Sequence, residues 1–276
     1  FSNGIYHHYG MEKLVPGFSE PYLRGLMAQL DPTLLPLRDG ESVEEFCKEV
    51  FPVMFDPTVL PKRVNKAAGA DLIQTSACNY YEAVTQPEVE QYYEEKKRAV
   101  HTDTPPSFGL NSRLVKCDGG LVEEMYRADG LYGAAIHEII HWLELAQEVA
   151  ENDCQCHVIS LLGAYYRTGD LRLFDEYSIA WLKEQEGQVD FINGFIEVYG
   201  DPLGMKASWE GIVEYKDMEA TRRTQTISSH AQWFEDHAPI SPQFRKKQVK
   251  GVTAHVVCAA MLGGDEYPST AIGINL

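Results

Sequence analysis

The stretch Phe195-Ile196-Glu197-Val198-Tyr199-Gly200-Asp201-Pro202-Leu203-Gly204 decides the class of the fold. Residues 189–199 have the apolar, β-branched and aromatic content of a strand, and Asp-Pro-Leu-Gly is typical of a turn. A second strand is predicted over residues 209–215. Because alternate residues of a strand lie on one face, Glu197 and Tyr199 are expected on the same face, ~7 Å apart.

The chain before this unit is mainly helical. Periodic apolar residues predict three helices over 132–150, 153–167 and 171–185. Capping boxes at Ser42 and Thr85 predict two earlier helices, and residues 114–126 predict a hairpin around Asp118-Gly119-Gly120.

Beyond the second strand, a helix is predicted over 218–237 and strands over 250–262 and 270–276. The fold class is therefore mixed α/β (α+β), with a helical front half and a β-containing back half. We divide the chain into an irregular segment with short helices and a hairpin at 1–130, a three-helix segment at 131–187, and a β-core segment with one long helix at 188–276.

Charge restricts the kind of partner. The 276 residues include 24 Lys and Arg against 41 Asp and Glu, which gives a net charge of -17. Nucleic acids and anionic membranes are excluded as partners because both require a positive surface. The acidity suits a cationic ligand such as the free amino end of a peptide, although it could equally serve solubility alone.

The sequence has no run of eighteen apolar residues and no signal-peptide pattern at its start. Its six cysteines include no Cys-x-x-Cys pair, so buried free thiols in a reducing compartment, the cytoplasm, are expected. The chain begins without Met and stops within an apolar run, which suggests a piece of a longer protein.

His137-Glu138-Ile139-Ile140-His141 matches the HEXXH pattern of zinc peptidases. On a helix, both imidazoles lie one turn apart on one face, and the Glu can act as general base. The same residues also fit a solvated polar face, because Ile136 and Ile140 belong to a separate apolar stripe. No third ligand is evident downstream, so the residues alone leave both interpretations open.

The segment at 195–204 resembles the FIE-x-Y-x-DP-x-G segment of the dipeptidyl peptidase III family. Trp209-Glu210-Gly211 resembles that family's aromatic-Glu-Gly strand, and residues 272–276 resemble the start of its GIN-x-PN segment. The resemblance extends over nearly the whole chain. It is especially close to the bacterial and plant branch, some members of which are fused to a Nudix domain.

The resemblance implies a two-lobed zinc metallopeptidase that removes dipeptides from the free N-terminus of short oligopeptides. It implies that Glu197 accepts the substrate ammonium, that Tyr199 hydrogen-bonds the scissile carbonyl, and that Asn275 helps to hold the N-terminal dipeptide. The peptide would pair as an added strand in a β core.

In this family the zinc motif is HEXXGH and lies after the GIN-x-PN segment, where this chain has already ended. The resemblance therefore implies zinc in the intact parent and none bound by this chain. The missing C-terminal zinc-binding part of the same protein would be its partner, this piece alone would be inactive, and HEIIH would be a chance match.

Two alternatives to this function stay open. One is a self-contained zinc peptidase that uses His137, Glu138 and His141. The other is a peptide-binding module without catalytic activity.

Overall fold

The computed structural model describes residues 4–252 and 254–267. Within these residues the protein has eight α-helices, two 3-10 helices and two three-stranded sheets. The helices are α1 Glu20–Met27, α2 Val43–Phe55, α3 Gln86–Ala99, α4 Gly133–Glu148, α5 Asp153–Thr168, α6 Leu171–Lys183, α7 Met218–Ser229 and α8 Ala231–Asp236, with 3-10 helices at Pro32–Leu34 and Pro242–Phe244. The strands are β1 Tyr81–Glu82, β2 Ser112–Cys117, β3 Gly120–Met125, β4 Val189–Glu197, β5 Ser208–Lys216 and β6 Val257–Gly264. The predicted mixed α/β class is confirmed.

The chain forms two compact units. Unit 1 comprises Phe1–Ile136, Tyr166–Leu171 and Glu197–Ser208, and unit 2 comprises His137–Tyr165, Arg172–Ile196 and Trp209–Leu276. The division into three segments at 1–130, 131–187 and 188–276 stays a prediction.

Unit 1 is built around the sheet β1-β2-β3. The pairing of β2 with β3 is antiparallel from Ser112↔Met125 to Cys117↔Gly120, so the predicted hairpin is confirmed. Helix α3 contributes Val89 and Tyr93 to the core beside Leu114 of β2. Both capping boxes form, at Ser42 with Glu45 and at Thr85 with Glu88. Local sequence signals therefore specify where these helices begin.

Unit 2 contains most of α4, α5 and α6 and most of the sheet β4-β5-β6. The three predicted helices correspond to α4, α5 and α6. Their buried apolar residues include Ile140, Val158, Leu162 and Tyr165. None of the described helices is both long and apolar enough to cross a membrane. All six cysteines are free, but only Cys47 is buried, whereas buried thiols were expected.

The predicted helix over 218–237 is wrong in one respect, because the chain breaks at His230 into α7 and α8. Near the break, the hydroxyl of Ser229 donates to the carbonyl of Thr226 (2.8 Å) and the Nδ1 atom of His230 contacts the same oxygen (2.8 Å). Side chains that bond to nearby carbonyls compete with the helical hydrogen bonds. The run of short polar residues therefore ends the helix early.

The predicted strand over 250–262 begins only at Val257. Before that point, hydroxyls of α7 hold the extended chain: Ser228 donates to the carbonyl of Val252 (2.7 Å) and Thr224 to that of Ala254 (2.8 Å). These carbonyls bond to a helix rather than to a neighbouring strand. The strand predicted over 270–276 lies outside the described residues.

Candidate functional site

The candidate residues lie where β4 ends and the chain turns towards β5. Glu197 is the last residue of β4 and is half-buried. The hydroxyl of Ser208, the first residue of β5, donates to the Glu197 carbonyl at 3.1 Å. This bond joins the two ends of the connecting loop, residues 198–207.

Tyr199 lies in a turn and not in a strand, in contrast to the sequence prediction. Strand β4 stops two residues earlier, because the amide of Asp201 bonds to the carbonyl of Val198 at 3.1 Å and turns the backbone. The 7 Å spacing expected from a continuous strand therefore does not apply. The side chain of Tyr199 is 69% exposed, so its hydroxyl is accessible. Asn275 lies outside the described residues.

Asp201 organises the loop that follows Tyr199. Its fully buried carboxylate accepts four hydrogen bonds: one at Oδ1 from the amide of Leu203 (3.1 Å), and three at Oδ2 from the amides of Met205 (2.8 Å) and Lys206 (2.8 Å) and the hydroxyl of Tyr81 (2.9 Å). Sequence analysis identified Asp201 only as a turn former. The known ability of Asp to accept hydrogen bonds from backbone amides a few residues ahead is the signal that could have indicated this larger role.

Lys206 holds the C-terminal end of the loop through a side chain buried in unit 1. Its side chain is fully buried, and Nζ donates to the hydroxyl of Tyr93 (2.7 Å), the carbonyl of Ser112 (3.0 Å) and the hydroxyl of Ser112 (3.2 Å). Burial lowers the pKa of Lys206 to about 8, although the negative charges of Glu123 and Asp201 oppose the shift. Sequence analysis did not identify Lys206, since a single Lys in a loop is usually exposed.

Glu123 supplies the negative charge nearest to this network. It accepts hydrogen bonds from the hydroxyls of Tyr93 (2.7 Å) and Ser112 (2.6 Å) and pairs with Lys96. Burial alone would raise the pKa of Glu123, but the hydrogen bonds from Lys96, Ser112 and Tyr93 lower it. Glu123 is therefore held as a carboxylate beside the buried ammonium of Lys206.

In unit 2, Trp209 lies among glycines. A Cβ added at Gly211 would lie 2.8 Å from the Trp209 ring, and one at Gly264 would lie 2.1 Å from the Trp209 carbonyl. The aromatic-Glu-Gly pattern is thus a packing requirement of β5 and β6. The intervening Glu210 is buried, and its carboxylate lies within 4.8 Å of that of Glu266.

The HEIIH sequence lies on α4, as predicted. His137 and His141 are exposed, whereas Ile136 and Ile140 are buried. Among residues 4–252 and 254–267, neither His137 nor His141 belongs to a group of three His, Cys, Asp or Glu residues whose ligand atoms lie within 4.8 Å of one another. The described residues around this helix therefore do not provide a zinc peptidase ligand set.

His137→Ala should leave both metal content and stability unchanged, because the imidazole it removes is exposed. We expect a change in the free energy of unfolding within ~0.5 kcal/mol, the usual range for surface substitutions. Metal analysis after equilibration with zinc, together with thermal denaturation, measures both quantities, and Glu148→Ala on the same helix is the control. One tightly bound zinc per chain, lost in both His137→Ala and His141→Ala, would instead favour the self-contained zinc peptidase.

Comparison with known proteins identifies the family. The sequence profile of Peptidase family M49 matches residues 116–252, about half of the chain, including the segment from Glu197 to Lys206. This chain belongs to peptidase family M49. The M49 relatives include dipeptidyl peptidase 3 of Dictyostelium discoideum, 24% identical over 131 residues, which are 48% of this chain and 18% of that protein. Dipeptidyl peptidase 3 of Rattus norvegicus is 24% identical over 159 residues, 56% of this chain and 21% of the relative.

The M49 assignment agrees with the fold. The solved structure of DPP III from Caldithrix abyssi matches 88% of this chain and 44% of that chain, with a TM-score of 0.57 and 17% identity. The profile match and the curated relatives confirm the resemblance to the dipeptidyl peptidase III family, and this solved structure shares the fold. The alignments with the two curated relatives span only about a fifth of those relatives' lengths.

Proposed function

We propose that this M49 chain carries the part of a zinc-dependent dipeptidyl peptidase that binds the free amino end of an oligopeptide. The observation that supports the proposal most strongly is the pairing of a half-buried carboxylate, Glu197, with an exposed phenol two residues later, Tyr199, inside the segment that matches the family. Such groups can respectively bind an ammonium and polarise a carbonyl.

Glu197 is proposed to accept the substrate ammonium. A half-buried carboxylate at the end of a strand is fixed by the backbone and partly shielded from water, so it can form a strong, charge-assisted hydrogen bond. An enzyme that removes two residues at a time needs such a fixed anion, because the distance from the amino end selects the bond that is cut.

Tyr199 is proposed to donate its hydroxyl to the scissile carbonyl. A donor directed at the oxygen on which negative charge develops stabilises the transition state more than the ground state. Its exposed position lets substrate reach it. Asn275 is proposed, on the resemblance alone, to bind the N-terminal dipeptide.

Zinc in the intact protein would activate water and polarise the carbonyl. Within the described residues no set of three potential ligands includes a histidine, so the proposal places the zinc ligands elsewhere in the intact protein. The zinc-binding part would then be the main partner of this chain, and the chain alone would be inactive. A cytoplasmic location and short oligopeptide substrates belong to the same proposal.

The proposal predicts strict counting from the amino end. With the full-length natural protein, dipeptidyl-arylamides should be cleaved about 10²-fold faster than aminoacyl- or tripeptidyl-arylamides, since a displacement of about 1 Å at the reacting bond costs that much. Steady-state kinetics on the three substrates measures the ratio. Equal cleavage of the aminoacyl substrate would indicate an ordinary aminopeptidase, and peptide binding without any cleavage would indicate a non-enzymatic module.

A further inference from the structure

We propose that Asp201 is a positioning residue for Tyr199, because its buried carboxylate fixes the loop that presents the exposed phenol. The inference rests on the proposed function only for its catalytic consequence, while the structural part can be tested without any activity. It concerns a residue for which the sequence predicted only a turn.

Burial changes sharply along the loop. Tyr199 is 69% exposed, whereas Asp201 and Lys206 are both 0% exposed. An exposed side chain this large cannot hold its own backbone through packing. The conformation of the backbone at Tyr199 must therefore be set by its neighbours.

Asp201 bonds through both its carboxylate and its backbone amide. Its two carboxylate oxygens accept three backbone amides of the same loop and the hydroxyl of Tyr81, which belongs to the sheet of unit 1. The amide of Asp201 itself bonds to the carbonyl of Val198 at 3.1 Å, across Tyr199. Asp201 thus links the two sides of the turn, because its backbone amide bonds to the residue before Tyr199 and its carboxylate binds the later part of the loop and Tyr81 of β1.

The loop has a second attachment at Lys206 and Ala207. Lys206 Nζ bonds to Tyr93 and Ser112, and the amide of Ala207 bonds to the carbonyl of Leu110 at 2.9 Å. The loop is therefore attached to the rest of unit 1 at Asp201 and again at Lys206 and Ala207. The buried carboxylate accepts four hydrogen bonds, and Asp201→Asn replaces one of its oxygens by an NH₂ group. At least one of the four donors would then face another donor instead of an acceptor.

Asp201→Asn in the full-length natural protein should lower kcat about 10- to 100-fold on a dipeptidyl-arylamide, with less than a threefold change in KM. If Asp201 acts through Tyr199, the same substitution made in Tyr199→Phe should cost less than threefold more. Asp71→Asn is the matched control, since the Asp71 carboxylate also accepts three backbone amides of unit 1, from Ile73, Gln74 and Gln86. It should keep kcat within threefold. An additive double variant, or an Asp71→Asn loss equal to that of Asp201→Asn, would overturn the proposal.

If Asp201→Asn folds poorly, or if the protein is not a peptidase, two further measurements test the positioning role of Asp201. Tyr81→Phe removes a single hydroxyl from the same carboxylate and should lower kcat by about two- to tenfold. In addition, 3-fluorotyrosine placed at position 199 should give one narrow ¹⁹F resonance in the wild type and in Asp71→Asn. That resonance should broaden or split in Asp201→Asn or Tyr81→Phe. An unchanged resonance in both variants would refute the positioning role, whereas a changed one without arylamidase activity would refute only the proposed function.

Discussion

Glu197→Gln in the full-length natural protein should lower kcat/KM for a dipeptidyl-arylamide by roughly thirty- to several-thousand-fold. This range corresponds to about 2–5 kcal/mol, the cost of removing one partner from a desolvated, charge-assisted contact. Gln keeps the size of the side chain and one carbonyl oxygen, so the loss would measure the missing negative charge. Steady-state kinetics on a substrate with a free amino end measures it.

The matched control for this substitution is Glu214→Gln. Like Glu197, Glu214 is half-buried and lies in the sheet β4-β5-β6. It lies near the C-terminal end of β5, whereas Glu210 lies near the start of that strand. It should change kcat/KM by less than about twofold, as is usual for a residue that makes no substrate contact. Equal losses in both variants would indicate that any carboxylate of the sheet matters for folding, and Glu197 would have no special role.

Lys206→Met should destabilise unit 1 by about 2–4 kcal/mol at pH 8. The substitution keeps most of the apolar stem but removes the ammonium, leaving the hydroxyl of Tyr93 and the carbonyl of Ser112 without the donor they have now. Guanidinium denaturation followed by circular dichroism measures the change. The control is Lys116→Met: Lys116 pairs with Glu88 on the surface, so its loss should cost less than about 1 kcal/mol.

The effect of Lys206 should also depend on pH in a defined direction. Its pKa is about 8 in the folded chain and about 10.5 when unfolded, so between these values the unfolded chain binds more protons. Wild-type stability relative to Lys206→Met should therefore rise between pH 8 and 10, by up to about 1.4 kcal/mol per pH unit. Above pH 10 both proteins should become less stable, because burial raises the pKa values of Tyr81 and Tyr93 in the folded chain and these tyrosines ionise first in the unfolded chain. A difference that stays flat or falls between pH 8 and 10 would show that burial does not lower the pKa of Lys206 in the folded chain.

Much of the fold could be predicted from local signals. Capping boxes at Ser42 and Thr85 and the Asp-Gly-Gly turn after Cys117 act within a few residues, and each produced the predicted element. The break at His230 was missed because apolar periodicity continues across it, while the Ser229 hydroxyl and the His230 imidazole bond to the carbonyl of Thr226 in competition with the helix. Periodicity reports which face is buried and does not report such competition.

Less of the candidate site than of the fold could be predicted from the sequence. Glu197 and Tyr199 came from a resemblance and not from their chemistry, since a Glu in a strand is ordinarily a surface residue. Asp201 and Lys206 could not be predicted as a buried pair of anchors because their partners, Tyr81, Tyr93 and Ser112, are nearly a hundred or more residues away in the sequence. Only the folded chain brings such groups together.

The most direct test of the central claim compares a free and an N-acetylated dipeptidyl-arylamide on the full-length wild type and on Glu197→Gln. Acetylation removes the ammonium, and the substitution removes the charge proposed to bind it. The account predicts that wild type strongly prefers the free substrate, that Glu197→Gln loses most of this preference, and that the acetylated substrate is cleaved equally slowly by both proteins. If Glu197→Gln keeps the full wild-type preference for the free amino end, Glu197 does not bind the ammonium and the account is contradicted.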